Sequence, residues 1–373
     1  MKTKIISLAT MFLASYAVMA SAQEVVTIGQ SGPLTGPQAV NGKDNENGAR
    51  LAIEEVNKSG LTVAGKKVTF KLLSEDDQAD PRIGVQVAQK FVDAGVTAVL
   101  GPYNSGVAIP ASRVYNNANI PILTSASNPS LTKQGFKNIF RNGASDEQLG
   151  ATMAEFAAKT LKAKTAAIID DRSAYGQGVA EQFAKVAKAN GIQIVREEFT
   201  SATAMDFLGI LTSIKAKNPD VIFFGGYAPQ GAPLAKQMVQ RALKARLLGG
   251  DGICSADMAR VAGSAASIVY CAQGGSSLDK TAEGQDFLKK YRAAYNTDTQ
   301  VYAVSFYDSV KLLADAMVKA GTTTDKAKIV EQLAKANYKG VATTYAFERA
   351  GDLKGAPTTV YVFQKGLPVP YAP

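Results

Sequence analysis

The chain has 373 residues, 46% apolar and 20% charged, which excludes a disordered chain and is too long for one ordinary domain but comfortable for two. Histidine is absent, and that removes the commonest general base, most nucleophile-activating dyads and most zinc sites. The formal charge of +9 comes partly from lysines scattered along helical segments (Lys159, Lys162, Lys164, Lys185, Lys188), the pattern of a solvated surface and not of a nucleic-acid stripe.

Lys2 and Lys4 make a short basic start, residues 5–20 are mostly apolar and small, and Ala20-Ser21-Ala22 supplies the small-x-small pattern of a cleavage site. Residues 1–22 therefore read as a signal peptide. Ser7, Thr10 and Ser15 interrupt the apolar run, which argues against a membrane anchor. No cysteine lies near the cleavage site to carry a lipid, so the mature protein is expected to diffuse freely behind an outer membrane.

From residue 25 onward, strand-like runs alternate with helical periodicity. Residues 25–30 read as a strand, and Ala49, Ala52, Ile53 and Val56 follow the i, i+3, i+4, i+7 spacing of an amphipathic helix. Residues 68–73 are the next strand, followed by a helix marked by Val85, Ala88, Phe91 and Val92. Strands at 96–100 and 120–124 continue the series. A second series opens near Asp146, with strands at 165–169, 192–199, 221–224 and 247–248 and a helical stripe of Val179, Phe183, Val186 and Ala187. After Cys271 helical patterning dominates, with Phe306, Val310, Leu313 and Met317 on one face, and strand-like runs return at 343–347 and 359–363. The expected fold is α/β: two doubly wound parallel-sheet lobes, with the late segments re-entering the earlier lobes.

Enzyme signatures are missing. No G-x-S-x-G elbow occurs. Residues 60–67 (GLTVAGKK) approach a phosphate loop but end in Lys67 where a hydroxyl residue is needed, and a strand follows where a helix should. Asp76-Asp77 and Asp170-Asp171 are paired carboxylates at strand ends, read as helix caps or loop residues in preference to a catalytic pair. Cys254 and Cys271 are the only cysteines. An exported chain favours a disulfide between them; two buried thiols that never meet are the alternative.

Strand ends carry the positive signal. Gly101-Pro102-Tyr103-Asn104-Ser105-Gly106 follows one strand and opens a helix, and Thr124-Ser125-Ala126-Ser127-Asn128-Pro129 follows the next. Ligands of open α/β sheets bind beyond the carboxyl ends of strands, where helix N-termini offer N–H groups to anions. Ser105 and Ser127 add hydroxyl donors suited to a carboxylate, or else each caps its own helix. In the second unit Tyr175, Tyr227 and Asp251 hold equivalent positions, and Asp251 suits a ligand ammonium. Together these residues describe a zwitterion site split across two lobes.

With Ser31-Gly32-Pro33-Leu34-Thr35-Gly36, Asp76-Asp77 and Asp80-Pro81, Tyr175-Gly176-Gln177-Gly178, Gly225-Gly226-Tyr227 and Gly351-Asp352-Leu353-Lys354-Gly355 in this order, the chain resembles the periplasmic leucine/isoleucine/valine-binding proteins of the type I fold. The resemblance implies a Venus-flytrap molecule whose three hinge crossings fall near Ser145, Gly274 and Phe347. Residues 23–145 and 274–346 would form lobe 1, and residues 146–273 and 347–373 lobe 2. It implies further that Ser105, Ser125 and Ser127 hold the α-carboxylate and part of the ammonium. Asp251 and Tyr227 would complete the ammonium site and Tyr175 would close over it, with Tyr103 and Asn41 also at the ligand. Asp251 stands where the family's leucine binders usually carry Glu, and Asn41 where they carry an aromatic cover. The implied function is capture of a branched-chain or related amino acid for the permease of an ABC importer, by a periplasmic monomer without cofactor, metal, enzymatic activity or nucleic-acid partner. The alternatives are a sensor of the same fold, or a binder of an amide, urea or aromatic acid.

Overall fold

The computed structural model describes residues 23–372, so the segment expected to be a signal peptide, with its expected cleavage site, lies outside the described residues. Two sheets organise the chain. The first contains β1 (Glu24–Gly32), β2 (Thr62–Val63), β3 (Lys66–Asp76), β4 (Ala98–Leu100), β5 (Ile122–Thr124) and β6 (Ile139–Arg141). Its spatial order is β2-β3-β1-β4-β5-β6, parallel throughout except for β2. Helices α1 (Ala39–Ser59), α2 (Pro81–Asp93) and α3 (Ser105–Asn117) connect these strands.

Strand alternation decides which residues meet which helix layer. Val26, Ile28, Ala98 and Leu100 join the core that includes Ala49, Ala52 and Ile53 of α1, whereas Val99 and Ile122 join the one with Val87, Phe91 and Ala108 of α2 and α3. The near-phosphate-loop GLTVAGKK is the β2–β3 hairpin, turned by Ala64 and Gly65 with φ of 48° and 80°. Two successive positive φ values are what a two-residue hairpin turn requires.

The second sheet contains β7 (Thr165–Asp170), β8 (Gln193–Phe199), β9 (Val221–Gly225), β10 (Arg246–Gly249) and β11 (Val269–Gly274), all parallel. Between and around them run α4 (Asp146–Glu155), α5 (Ala174–Ala189), α6 (Leu208–Lys215), α7 (Ala228–Gln240) and α8 (Ala256–Ala262). Its two faces again divide by alternation: Ile168 and Phe223 pack with Val179 and Phe183, while Ile169 and Phe224 pack with Leu211 and Met238. Helices α9 (Ala282–Tyr295), α10 (Ala303–Ala320) and α11 (Lys326–Ala334) follow, and α10 packs along α1, back on the first sheet. A small hairpin, β12 (Tyr338–Lys339) with β13 (Thr344–Tyr345), takes up only two residues of the run expected as a strand at 343–347, and Phe347 makes an isolated bridge. Then β14 (Thr358–Gln364) and β15 (Leu367–Pro370) extend the second sheet antiparallel, so its order is β15-β14-β11-β10-β9-β7-β8. The antiparallel edge is a departure from an all-parallel expectation; β14 and β15 are joined by a hairpin at Lys365 and Gly366, both with positive φ.

The chain passes between the sheets at three places. The first lies between β6 and α4, where Ser145 and Gln148 form a capping box at the start of α4. The second follows β11. The third differs from the position near Phe347: Phe347 pairs with Leu353, and the Arg141 N–H donates to the Gly351 carbonyl at 2.9 Å, so this stretch stays beside β6. The backbone joins the second sheet only at Thr358. Two contacts hold it back. The fully buried Arg141 guanidinium bonds the Asp352 carboxylate at 2.7 Å, and a Cβ on Gly351 would sit 1.9 Å from the Ile139 carbonyl oxygen, so only glycine allows the approach. Among the described residues, no helix is long and apolar enough to cross a membrane.

Candidate functional site

The carboxyl ends of β4, β5, β7, β9 and β10 point into the space between the two sheets' lobes. There Tyr103, Ser105, Ser125, Ser127, Tyr175, Tyr227 and Asp251 line one small buried cavity of about 10 Å³. Wider surface hollows of about 440 and 460 Å³ exist, between α5 and β8 and beside α11, but no comparable set of buried polar groups converges on them. Asn41 is buried on α1 and is not among the lining residues; its Oδ1 has no hydrogen-bond partner.

Neither serine spends its hydroxyl on its own helix. Ser105 is the first residue of α3, whose N-cap is Asn104, and its Oγ accepts the Asn128 N–H at 3.1 Å. Its hydrogen is thereby left for the cavity, because a hydroxyl has one donor and two acceptor sites. The Ser125 Oγ is buried without a partner. Ser127 lies against the start of α4, where the Asp146 N–H donates to its carbonyl at 2.9 Å.

The opposite wall is built from tyrosines around one acid. The Tyr175 hydroxyl donates to Asp251 Oδ1 at 2.7 Å and accepts the Gly252 N–H at 2.9 Å. The Tyr302 hydroxyl, from the residue capping α10, donates to the other oxygen of Asp251. Tyr103 and Tyr227 approach with ring centroids 6.0 Å apart, and Tyr175 stands 4.9 Å from Tyr227. Burial pushes the Asp251 carboxyl above its ordinary value, and the hydroxyls of Tyr302 and Tyr175 act against that rise. Burial likewise holds all four phenols well above their usual value, so they serve as neutral donors.

The disulfide joins Cys254, three residues past Asp251, to Cys271 on β11, with Cα atoms 5.4 Å apart. Both cysteines are bonded, and the alternative of two separate thiols does not hold. The acidic pairs are loop ties and cap no helix. Asp76 accepts N–H groups of Leu34 and Gln78, and Asp77 accepts the Ser31 hydroxyl and the Ala79 N–H. Asp171 accepts from Ser173, which, with Asp80, does the capping expected of the pairs. Among the described residues, no group of side chains is arranged to hold a metal ion.

Sequence reading missed two residues here, Tyr302 and Asp146. The apolar face of α10 begins at Ala303, so Tyr302 fell just outside the periodic stripe, and its partner lies 51 residues away. Asp146 reads as an ordinary acidic residue in a first helical turn, and only packing buries it.

Two lobes about a cavity of serines, tyrosines and one acid agree with the chain's match to the periplasmic binding protein family over residues 25–366. The chain belongs to that family. Within it, the chain is 33% identical over 366 residues to the Leu/Ile/Val-binding protein BraC3 of Rhizobium johnstonii, covering 96% of this chain and 97% of that protein. It is 30% identical over 358 residues to a leucine-, isoleucine-, valine-, threonine- and alanine-binding protein of Pseudomonas aeruginosa, covering 96% and 95%. Among family members of known structure, the branched-chain amino acid transporter substrate-binding protein LivJ of Streptococcus pneumoniae, solved with isoleucine, superposes with a TM-score of 0.83 at 26% identity, covering 92% and 98%.

Proposed function

We propose that this chain is the periplasmic solute-binding subunit of an ABC importer, which traps an amino acid between its lobes and delivers it to a membrane permease. One observation carries the reading: the buried cavity offers hydroxyl donors on the first lobe and a tyrosine-held carboxylate on the second, complementary to the two ends of a zwitterion. Burying both charges of an amino acid is tolerable only where each is hydrogen-bonded, and that accounts for the number of polar groups that converge. Ser105 and Ser125 take the α-carboxylate. Asp251, supported by Tyr175 and Tyr302, takes the ammonium. Tyr103 and Tyr227 cover the ligand from either lobe.

In this reading the lobes are residues 23–145 with 274–353, and 146–273 with the end of the chain from Thr358. The hinge runs near Ser145 and Gly274, and its third strand is moved on from Phe347 to residues 354–357. The protein acts as a monomer, exported by its first 22 residues. The relatives' names are those of solute-binding proteins, which supports transport binding over catalysis.

The test is thermal melting of mature protein, unfolded and refolded to strip carried ligand, against amino acids, amides and aromatic acids. A ligand at 100 times its Kd stabilises by about 2.7 kcal/mol, which is readily seen. Stabilisation by one or a few amino acids is expected. Stabilisation by amides or aromatic acids alone would keep the fold and overturn the zwitterion site.

A further inference from the structure

The function above leaves Asp146 unused, although its carboxyl is wholly buried next to the cavity. Neither carboxylate oxygen has a hydrogen-bond partner. Ser127, which lines the cavity, stands beside it: its carbonyl accepts the Asp146 N–H at 2.9 Å. Within the second lobe α5 lies directly against it: a Cβ on Gly178 would stand 2.5 Å from Asp146 Oδ2, and 2.4 Å from Nδ2 of Asn128 in the first lobe. Of the charged groups around it, Arg141 on β6 favours the ionised form, whereas Asp251 beyond β10 and Glu147 on its own helix oppose it. Tyr175 of α5 and Tyr302 ahead of α10 both feel its charge.

We infer that Asp146 is a positioning residue of the ligand site, drawing the hydrogen of the Ser127 hydroxyl to itself so that the Ser127 oxygen faces the cavity as an acceptor for the ligand's ammonium. The inference rests on the cavity being an amino-acid site. An ionised carboxylate can only accept, so the single hydrogen of Ser127 turns toward it and the lone pairs turn toward the ligand. Neutral Asp146 would donate instead, sending the Ser127 hydrogen into the cavity to oppose an ammonium. Ser105 has the reverse polarity, because its oxygen already accepts from Asn128. The serines thus divide into donors for the carboxylate end and one acceptor for the ammonium end.

The polarity has a pH signature. Burial raises the Asp146 carboxyl well above its ordinary range, and a bound ammonium pulls it back down. Binding then releases a proton wherever the free site still holds one, so affinity rises with pH through that window. Asp251 carries the same sign, so the wild-type slope contains both groups and Asp146→Asn isolates one.

Calorimetric titration of the stripped mature protein, with the amino acid that stabilises it most, provides the test. Asp146→Asn should weaken binding about tenfold or more and flatten the pH slope, but it should add nothing in a Ser127→Ala background. Equal weakening in both backgrounds, or a changed melting temperature with unchanged affinity and slope, overturns the inference. If Asp146→Asn fails to fold, Ser127→Ala alone decides. It should weaken binding of the amino acid and spare its des-amino acid analogue; equal losses would place Ser127 at the carboxylate and overturn the assignment. A wild-type protein that binds no amino acid defeats the underlying reading itself.

Discussion

Asp251 concentrates the chemistry of the cavity in one side chain. Both of its oxygens accept tyrosine hydroxyls, yet each retains a lone pair for a ligand. Asp251→Ala should therefore abolish amino-acid binding in calorimetry, since removing one partner of a buried charge pair costs about 3–5 kcal/mol. Retained affinity would mean that the ligand is not an amine held there. Ser105→Ala is expected to weaken binding by about 1.5–3 kcal/mol, the size of a hydrogen bond to a charged group. The Ser105 Oγ also accepts the buried Asn128 N–H, so the variant's ligand-free melting temperature should fall modestly as well. A fall in melting temperature with unchanged affinity would return Ser105 to a structural role.

At the scale of elements, two devices bring these side chains into register. The disulfide ties the turn bearing Asp251 to β11 across 17 residues of sequence. A closed loop of that size contributes about 3 kcal/mol on the chain-entropy view, so reduction should lower the melting temperature by several degrees in calorimetry while ligand preference stays the same. A change of preference on reduction would make the bridge part of the recognition surface. The second device is Gly178, where α5 meets Asn128 and Asp146. Gly178→Ala sets a methyl group against both polar side chains and should hold the lobes apart. The expected result is at least tenfold weaker binding together with a lower ligand-free melting temperature, because a methyl group 2.5 Å from Asp146 Oδ2 of the neighbouring α4 outweighs alanine's better helix propensity. Unchanged affinity would show that α5 does not move against that corner on closure.

For the molecule as a whole, buried acids set the pH dependence of folding. Burial raises Asp44, Asp77 and Asp308 to about 6, each hydrogen-bonded to backbone or hydroxyl groups. A carboxyl raised in the folded state binds its proton more tightly there than when unfolded. Its contribution is therefore complete below the unfolded value of about 4 and is lost as pH rises through 6. Asp76, Glu46 and Glu55 are lowered, with hydroxyl, N–H or cationic partners acting against burial, so their contribution is lost on acidification. The melting temperature of the ligand-free protein should peak between about pH 4 and 6 and decline toward neutrality. Asp146, Asp171 and Asp251 are raised by burial too and act with the same sign, so a monotonic rise from pH 4 to 8 would show that these buried acids are not protonated on folding.

What the sequence determined alone is what local chemistry encodes. Alternating strand and helix periodicity produced the two α/β units, and glycine, serine and tyrosine at strand ends marked seven residues that now line one cavity. Besides the short hairpin strands β2, β12 and β15, it overlooked Ile139–Arg141 and Val269–Gly274, which carry little pattern of their own: the first is three residues long, and the second continues a sheet begun elsewhere. Tertiary structure alone decided that Tyr302 meets Asp251, that Asp146 is buried against α5, that Asn41 stays out of the cavity lining, and that the chain lingers beside β6 until after Leu353. Those outcomes depend on which surfaces pack together. A hydrogen bond between residues 51 apart leaves no periodic trace in either segment, whereas a strand or helix repeats its preference every two or four residues.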